Sequence, residues 1–119
     1  MASVHLVSET GFAQDIRART HRLVADEPQS LGGTDSGPAP YELLLSGLAA
    51  CTAITLRMYA DRKGWDLGQI KVHLKFLHRG DDTGTIDRVV ALSAPLTPEQ
   101  TARLAEICEK TPVTKTVRR

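Results

Sequence analysis

An α+β fold with antiparallel strands is predicted by three features of the sequence. Short alternating segments fill the N-terminal part, one long apolar stretch with helical start and stop signals follows, and an alternating pair plus a capped helix completes the chain. Strands and helices therefore come in runs rather than in regular strand–helix alternation, which argues against a parallel, doubly wound sheet.

Residues 4–8, 11–18 and 21–25 alternate partially, with Glu9-Thr10-Gly11 and Arg19-Thr20 between them, as in an antiparallel meander. Residues 26–40, DEPQSLGGTDSGPAP, hold three Gly and three Pro and read as a long ordered loop. Loops of that length in a compact domain usually serve a function.

The main helix is expected from Pro40, where a missing N–H costs nothing. It runs to about Arg62 and stops at Gly64, a left-handed C-terminal residue after basic Arg62-Lys63. Its apolar residues occupy nearly every face, and a helix apolar all round is buried all round. A single small layer of strands cannot wrap it, so burial at a subunit interface is expected as well. Residues 70–77 alternate as a half-buried strand, and the turn at residues 80–84 leads into residues 86–92 as a hairpin. Thr97, Pro98 and Gln100 make a capping box that starts a second helix, expected to end near Lys110, before Pro112. Residues 114–119 form a last short segment, read as a further strand.

Length and charge narrow the function. A chain of 119 residues buries about two thirds of its unfolded surface, enough for one core, so residues 1–119 are read as one domain. Fifteen Lys and Arg against fourteen Asp and Glu leave a formal net charge of +1, with no basic stripe, so no nucleic-acid partner is expected. The N-terminus lacks a basic region followed by an apolar run, as a secretory signal would need. The longest apolar stretch, residues 43–59, is interrupted by Ser46, Gly47, Thr52, Thr55 and Arg57. It is read as falling short of the roughly 20 apolar residues that span a bilayer. A cytoplasmic protein without a membrane partner is the expectation.

Few residues offer chemistry. His5, His21, His73 and His78 are scattered without metal-ligand spacing, no GxSxG elbow is present, and no Lys-Ser or Lys-Thr follows the Gly-rich loop. Neither metal nor cofactor is expected. That leaves Cys51 inside the apolar helix. A buried cysteine is commonly a small hydrophobe. Gly47, one turn earlier, opens space beside the sulfur at a helix position where Gly costs about 1 kcal/mol, and Thr55 offers a hydroxyl one turn later.

A reactive thiol needs its anion stabilised, and the helix dipole fades within the first turn, far from Cys51. The candidate cations are Arg17, Arg19 and Arg22 on the N-terminal strands and Arg57 on the same helix. Arg57 lies six residues on, about 600° of rotation and hence another face. Glu42, in the first helical turn, complements the dipole and is alternatively an orienter of an arginine.

Gly33-Thr34-Asp35-Ser36-Gly37-Pro38-Ala39-Pro40-Tyr41-Glu42-Leu43-Leu44, followed by Gly47-Leu48-Ala49-Ala50-Cys51-Thr52, resembles the OsmC/Ohr family. DEP at 26–28 and LRMYADRKGW at 56–65 resemble its short OsmC-like branch, so the likeness extends over essentially the whole chain. The resemblance implies an OsmC-like fold with strands around a buried central helix, in an intertwined homodimer with its sites at the interface. It also implies thiol-dependent reduction of organic hydroperoxides. Cys51 would attack the peroxide, a second cysteine would capture the sulfenic acid, and an external dithiol would restore the enzyme.

Two positions depart from the family pattern. Its second cysteine precedes a Pro-Val pair, where this chain has Thr111, and Cys108 lies three residues earlier. Cys108 also follows Leu104 by four residues on the apolar face, so it is read either as resolving cysteine or as core. Peroxidase members carry Glu directly after the proline, where this chain has Tyr41, with Glu42 one position on. The alternatives to a peroxidase are a small-molecule binding protein on the same fold and a homodimer whose cysteines only pack.

Overall fold

The computed structural model describes residues 2–80 and 83–118. Among the described residues five strands and three α-helices occur, in the expected order up to the last: β1 (His5–Val7), β2 (Gln14–Ala18), β3 (His21–Ala25), α1 (Pro40–Lys63), β4 (Ile70–His78), β5 (Gly84–Leu92), α2 (Pro98–Glu109) and α3 (Pro112–Val117). Two compact units, Met1–Leu44 and Leu45–Arg119, divide the chain within α1.

In the first unit β1, β2 and β3 form an antiparallel sheet in that order. The β2–β3 turn pairs Ala18 with His21 and carries Arg19 at φ +57°, a left-handed conformation uncommon outside glycine. The Gly/Pro loop is organised by Asp26, which is 2% exposed. Its Oδ2 accepts from the N–H and hydroxyl of both Thr34 and Ser36, and its Oδ1 from the Glu27 N–H. These hydrogen bonds, those of Thr34 first and Ser36 next, hold the carboxyl well below the usual carboxylate range. One 3₁₀ turn, Gln29–Leu31, interrupts a segment the sequence reads as loop throughout.

In the second unit α1 buries one stripe, Leu48, Thr52, Leu56 and Ala60, spaced every fourth residue so that the stripe stays on one face. Leu56, Ala60, Leu67, Leu104 and Cys108 form the buried cluster, with Trp65, Val90 and Leu92 packed against it. The helix stops as expected: Gly64 has φ +70°, and Trp65 N–H reaches back to Ala60 O at 2.9 Å, closing a left-handed cap. By length and composition alone α1 is long and apolar enough to cross a membrane, which corrects the sequence estimate that it falls short. Its buried stripe gives that apolarity a use inside the protein.

β4 and β5 pair over their full length, with Ile70 opposite Leu92, Val72 opposite Val90, Leu74 opposite Arg88 and Phe76 opposite Ile86. Asp81 and Asp82 of the expected turn lie outside the described residues; Arg79 N–H donates to Thr83 O across it at 3.0 Å. Thr97 and Gln100 form the expected capping box on α2. The last segment is a helix, not the expected strand. Thr111 caps it by accepting the Thr114 N–H, and Pro112 sits at its first position, where proline's fixed φ suits a helix.

Candidate functional site

Cys51 precedes Thr52 of the buried stripe by one residue, so it is turned about 100° from the core. The thiol is half-buried, and its sulfur lies 4.0 Å from Thr55 Oγ1, one turn on. Gly47, Cys51, Ile54 and Met58 share this face at three- and four-residue spacing, with Ile54 53% and Met58 60% exposed. A methyl group added at Gly47 would meet nothing within 4 Å, so no contact within the chain demands a glycine there.

The remaining candidates have other engagements. Cys108 belongs to the apolar cluster, and burial pushes its thiol up, with Glu109 adding to the rise and Arg88 opposing it. Both thiols are free. Glu42 accepts the Ala39 N–H at 2.8 Å, so its carboxylate serves the N-terminus of α1. Asp15 takes both Arg17, at 3.7 Å, and Arg22, at 3.1 Å. Arg19 is exposed at its turn, and Arg57 is exposed on α1. Among the described residues no three His, Cys, Asp or Glu side chains gather as a metal-binding group.

The cation that the sequence reading missed is Arg88. It occupies the inward row of β5 between Ile86 and Val90, and its side chain is only 13% exposed. Nη1 donates to Thr52 Oγ1 at 3.1 Å and Thr114 Oγ1 at 3.0 Å; Nη2 donates to Cys108 O at 3.0 Å and Glu109 Oε1 at 3.4 Å. Glu109 Oε2 in turn pairs with Arg118. Thr111, fully buried, shares a hydrogen bond with Thr114 at 2.6 Å between hydroxyls. The position that matched the family's second cysteine is thus a helix cap joined to a buried guanidinium. The signal for Arg88 was present in the sequence: Ile86, Arg88, Val90 and Leu92 are alternate residues, so an inward strand face contains an arginine. A cation there must find acceptors.

A cavity of about 510 Å³ opens beside this network, lined by Leu48, Ile86, Arg88, Glu109, Val117 and Arg118, among others.

Comparisons with known proteins agree with this architecture. The fold superposes on an OsmC-like protein from Mycoplasma pneumoniae with a TM-score of 0.85 at 17% identity, covering 99% of this chain and 87% of that one. An organic hydroperoxide resistance protein OsmC from Legionella pneumophila gives 0.72 at 17% identity, over 99% and 89%. The organic hydroperoxide resistance protein OhrB of Bacillus subtilis gives 0.69 at 21% identity, over 99% and 90%. Among curated proteins the sequence has no significant match. The model of the family described as OsmC-like protein matches residues 33–119, which include α1, both strands of the hairpin and the Arg88 network. The chain belongs to the OsmC-like family.

Proposed function

We propose that the protein is a thiol-dependent peroxide reductase acting on organic hydroperoxides, with Cys51 as the peroxidatic cysteine. The observation that carries this reading is the position of Cys51: half-buried on the open face of α1, beside the Gly47 gap and away from the packed core. Two of its structural relatives bear the name of organic hydroperoxide resistance proteins, which supports the substrate class.

The cycle needs one protein thiol. The Cys51 thiolate attacks the distal peroxide oxygen, the O–O bond breaks, and the departing alkoxide takes a proton to leave as alcohol. Cys51 is then a sulfenic acid. One thiolate of an external dithiol attacks its sulfur, releasing water and forming a mixed disulfide. The second external thiol displaces Cys51, leaving the dithiol oxidised and the enzyme thiol restored. Cys108 does not resolve the sulfenic acid in this reading, because it packs in the core with a thiol that burial keeps protonated.

A second copy of the chain is proposed to cover the Gly47–Cys51–Ile54–Met58 face, forming a homodimer. Two exposed aliphatic side chains flanking two small residues favour close helix packing. A reducing compartment, the cytoplasm, suits such a cycle.

The test follows peroxide consumption with cumene hydroperoxide and dithiothreitol. Cys51→Ser is expected to fall to the uncatalysed rate, whereas Cys108→Ala keeps turnover within about twofold of wild type. Unchanged turnover in Cys51→Ser would end the proposal, and loss of turnover in a folded Cys108→Ala would end the one-cysteine cycle.

A further inference from the structure

The cavity beside Arg88 contains a charge imbalance. Among the described residues two guanidiniums, Arg88 and Arg118, share one carboxylate, that of Glu109. Glu109 reaches Arg88 only at 3.4 Å, near the outer limit of a useful hydrogen bond, while its other oxygen is committed to Arg118. Arg88, largely withdrawn from water, therefore has its three shorter hydrogen bonds to neutral partners, two threonine hydroxyls and the Cys108 carbonyl, and its longest to Glu109. A desolvated cation whose counter-ion is shared with a second cation is stabilised further by an anion that reaches it.

The walls restrict which anion that is. Leu48, Ile86 and Val117 give one part of the cavity wall aliphatic character, beside a polar part formed by Thr85, Thr114, Glu109 and the arginines. Its volume of about 510 Å³ lies inside the roughly 300–1,000 Å³ of small-molecule sites, which are typically apolar with a few placed polar groups. A compact, strongly hydrated anion would leave those walls unused. A neutral aliphatic molecule would leave the cations unused.

We infer that this cavity is a binding site for a small aliphatic carboxylate, its head taken by Arg118 and Arg88 and its tail laid along Leu48, Ile86 and Val117. Glu109 is the internal competitor for the same guanidiniums. The site is independent of whether Cys51 reduces peroxides, and its test uses no turnover.

Isothermal titration at low ionic strength with octanoate, octan-1-ol and inorganic phosphate tests the assignment on the whole chain. Octanoate is expected to bind about tenfold or more tighter than either of the others, as one added charge-assisted contact implies. Arg118→Gln should weaken octanoate roughly fivefold and leave octanol unmoved, the scale of one partly exposed ion pair. Glu109→Gln should strengthen octanoate, which loss of a merely structural contact would not do. The altered side chains are 64% (Arg118) and 48% (Glu109) exposed, and matched unfolding midpoints verify that the variants remain folded. Octanol or phosphate binding as tightly as octanoate would overturn the inference, as would octanoate affinity unmoved by both substitutions.

Discussion

Arg88 donates to Thr52 at 3.1 Å, and Thr52 donates on to Leu48 O at 2.8 Å, so a cation on β5 is tied into the helix one residue from Cys51. The same guanidinium holds Thr114 of α3 and the last turn of α2. One side chain thereby links the hairpin to all three helices' segments within the second unit.

Replacing that side chain should be costly. Arg88→Leu strips donors from Thr52, Thr114 and Cys108 O, and losing partners of buried polar groups costs about 1–3 kcal/mol. Arg88→Lys should recover little, because a single ammonium cannot fork to the same spread of acceptors. A fall in the urea midpoint at constant slope measures the loss.

The uncovered face of α1 gives a second prediction. Ile54→Glu with Met58→Glu should yield a folded monomer under conditions where wild type sediments as a dimer. Within one chain both side chains are exposed, and surface substitutions usually change stability by no more than about 0.5 kcal/mol. A dimer that survives the double substitution would remove this face as the interface.

Cys51 and Cys108 should differ sharply in reactivity. Under native conditions iodoacetamide should modify half-buried Cys51 well ahead of Cys108, as peptide mass spectrometry would record. The Cys108 thiol is raised in the folded state, so the folded protein holds this proton more tightly than the unfolded chain. Its contribution to stability is complete below the unfolded thiol pKa of about 8.5 and is lost as pH rises through the folded value. Cys108→Ala should therefore flatten the decline of stability above that pH.

Asp26 should act in the opposite direction. Its pKa is depressed by Thr34 and Ser36, so its contribution is complete above the unfolded carboxyl pKa of about 3.9 and is lost as pH falls toward the folded value. Asp26→Asn should lower the melting temperature at neutral pH and reduce the difference from wild type as the solution is acidified.

Two glycines should respond differently to alanine. At Gly33 a Cβ would lie 2.0 Å from Glu27 O, a backbone atom that cannot swing aside, so Gly33→Ala should unravel the Asp26 loop. At Gly47 nothing lies within 4 Å, so Gly47→Ala should stabilise a monomeric chain by about 1 kcal/mol through helix propensity. A loss of dimer or of turnover in Gly47→Ala would show that a partner or a substrate uses the gap.

Local signals were sufficient for most elements. The bounds of β3, the start of α1 at Pro40, its stop at Gly64 and the Thr97 capping box depend on short-range geometry that residue type dictates. The last segment, helical through Val117 and with Arg119 outside the described residues, reads as a strand in sequence because six residues carry too little periodicity to distinguish strand from helix. What decided it was the Thr111 cap, whose hydroxyl is held by Thr114 inside the Arg88 network.

The family, the fold class and the singular position of Cys51 were determined by sequence alone, because motif and apolar pattern are properties of neighbouring residues. The partners of polar groups distant in sequence, those of Arg88 above all, were decided only by tertiary structure. The alternation of β5 shows that Arg88 points inward, but Thr52, Thr114 and Cys108 lie 36, 26 and 20 residues away along the chain. Folding alone brings them within 3.1 Å of one guanidinium.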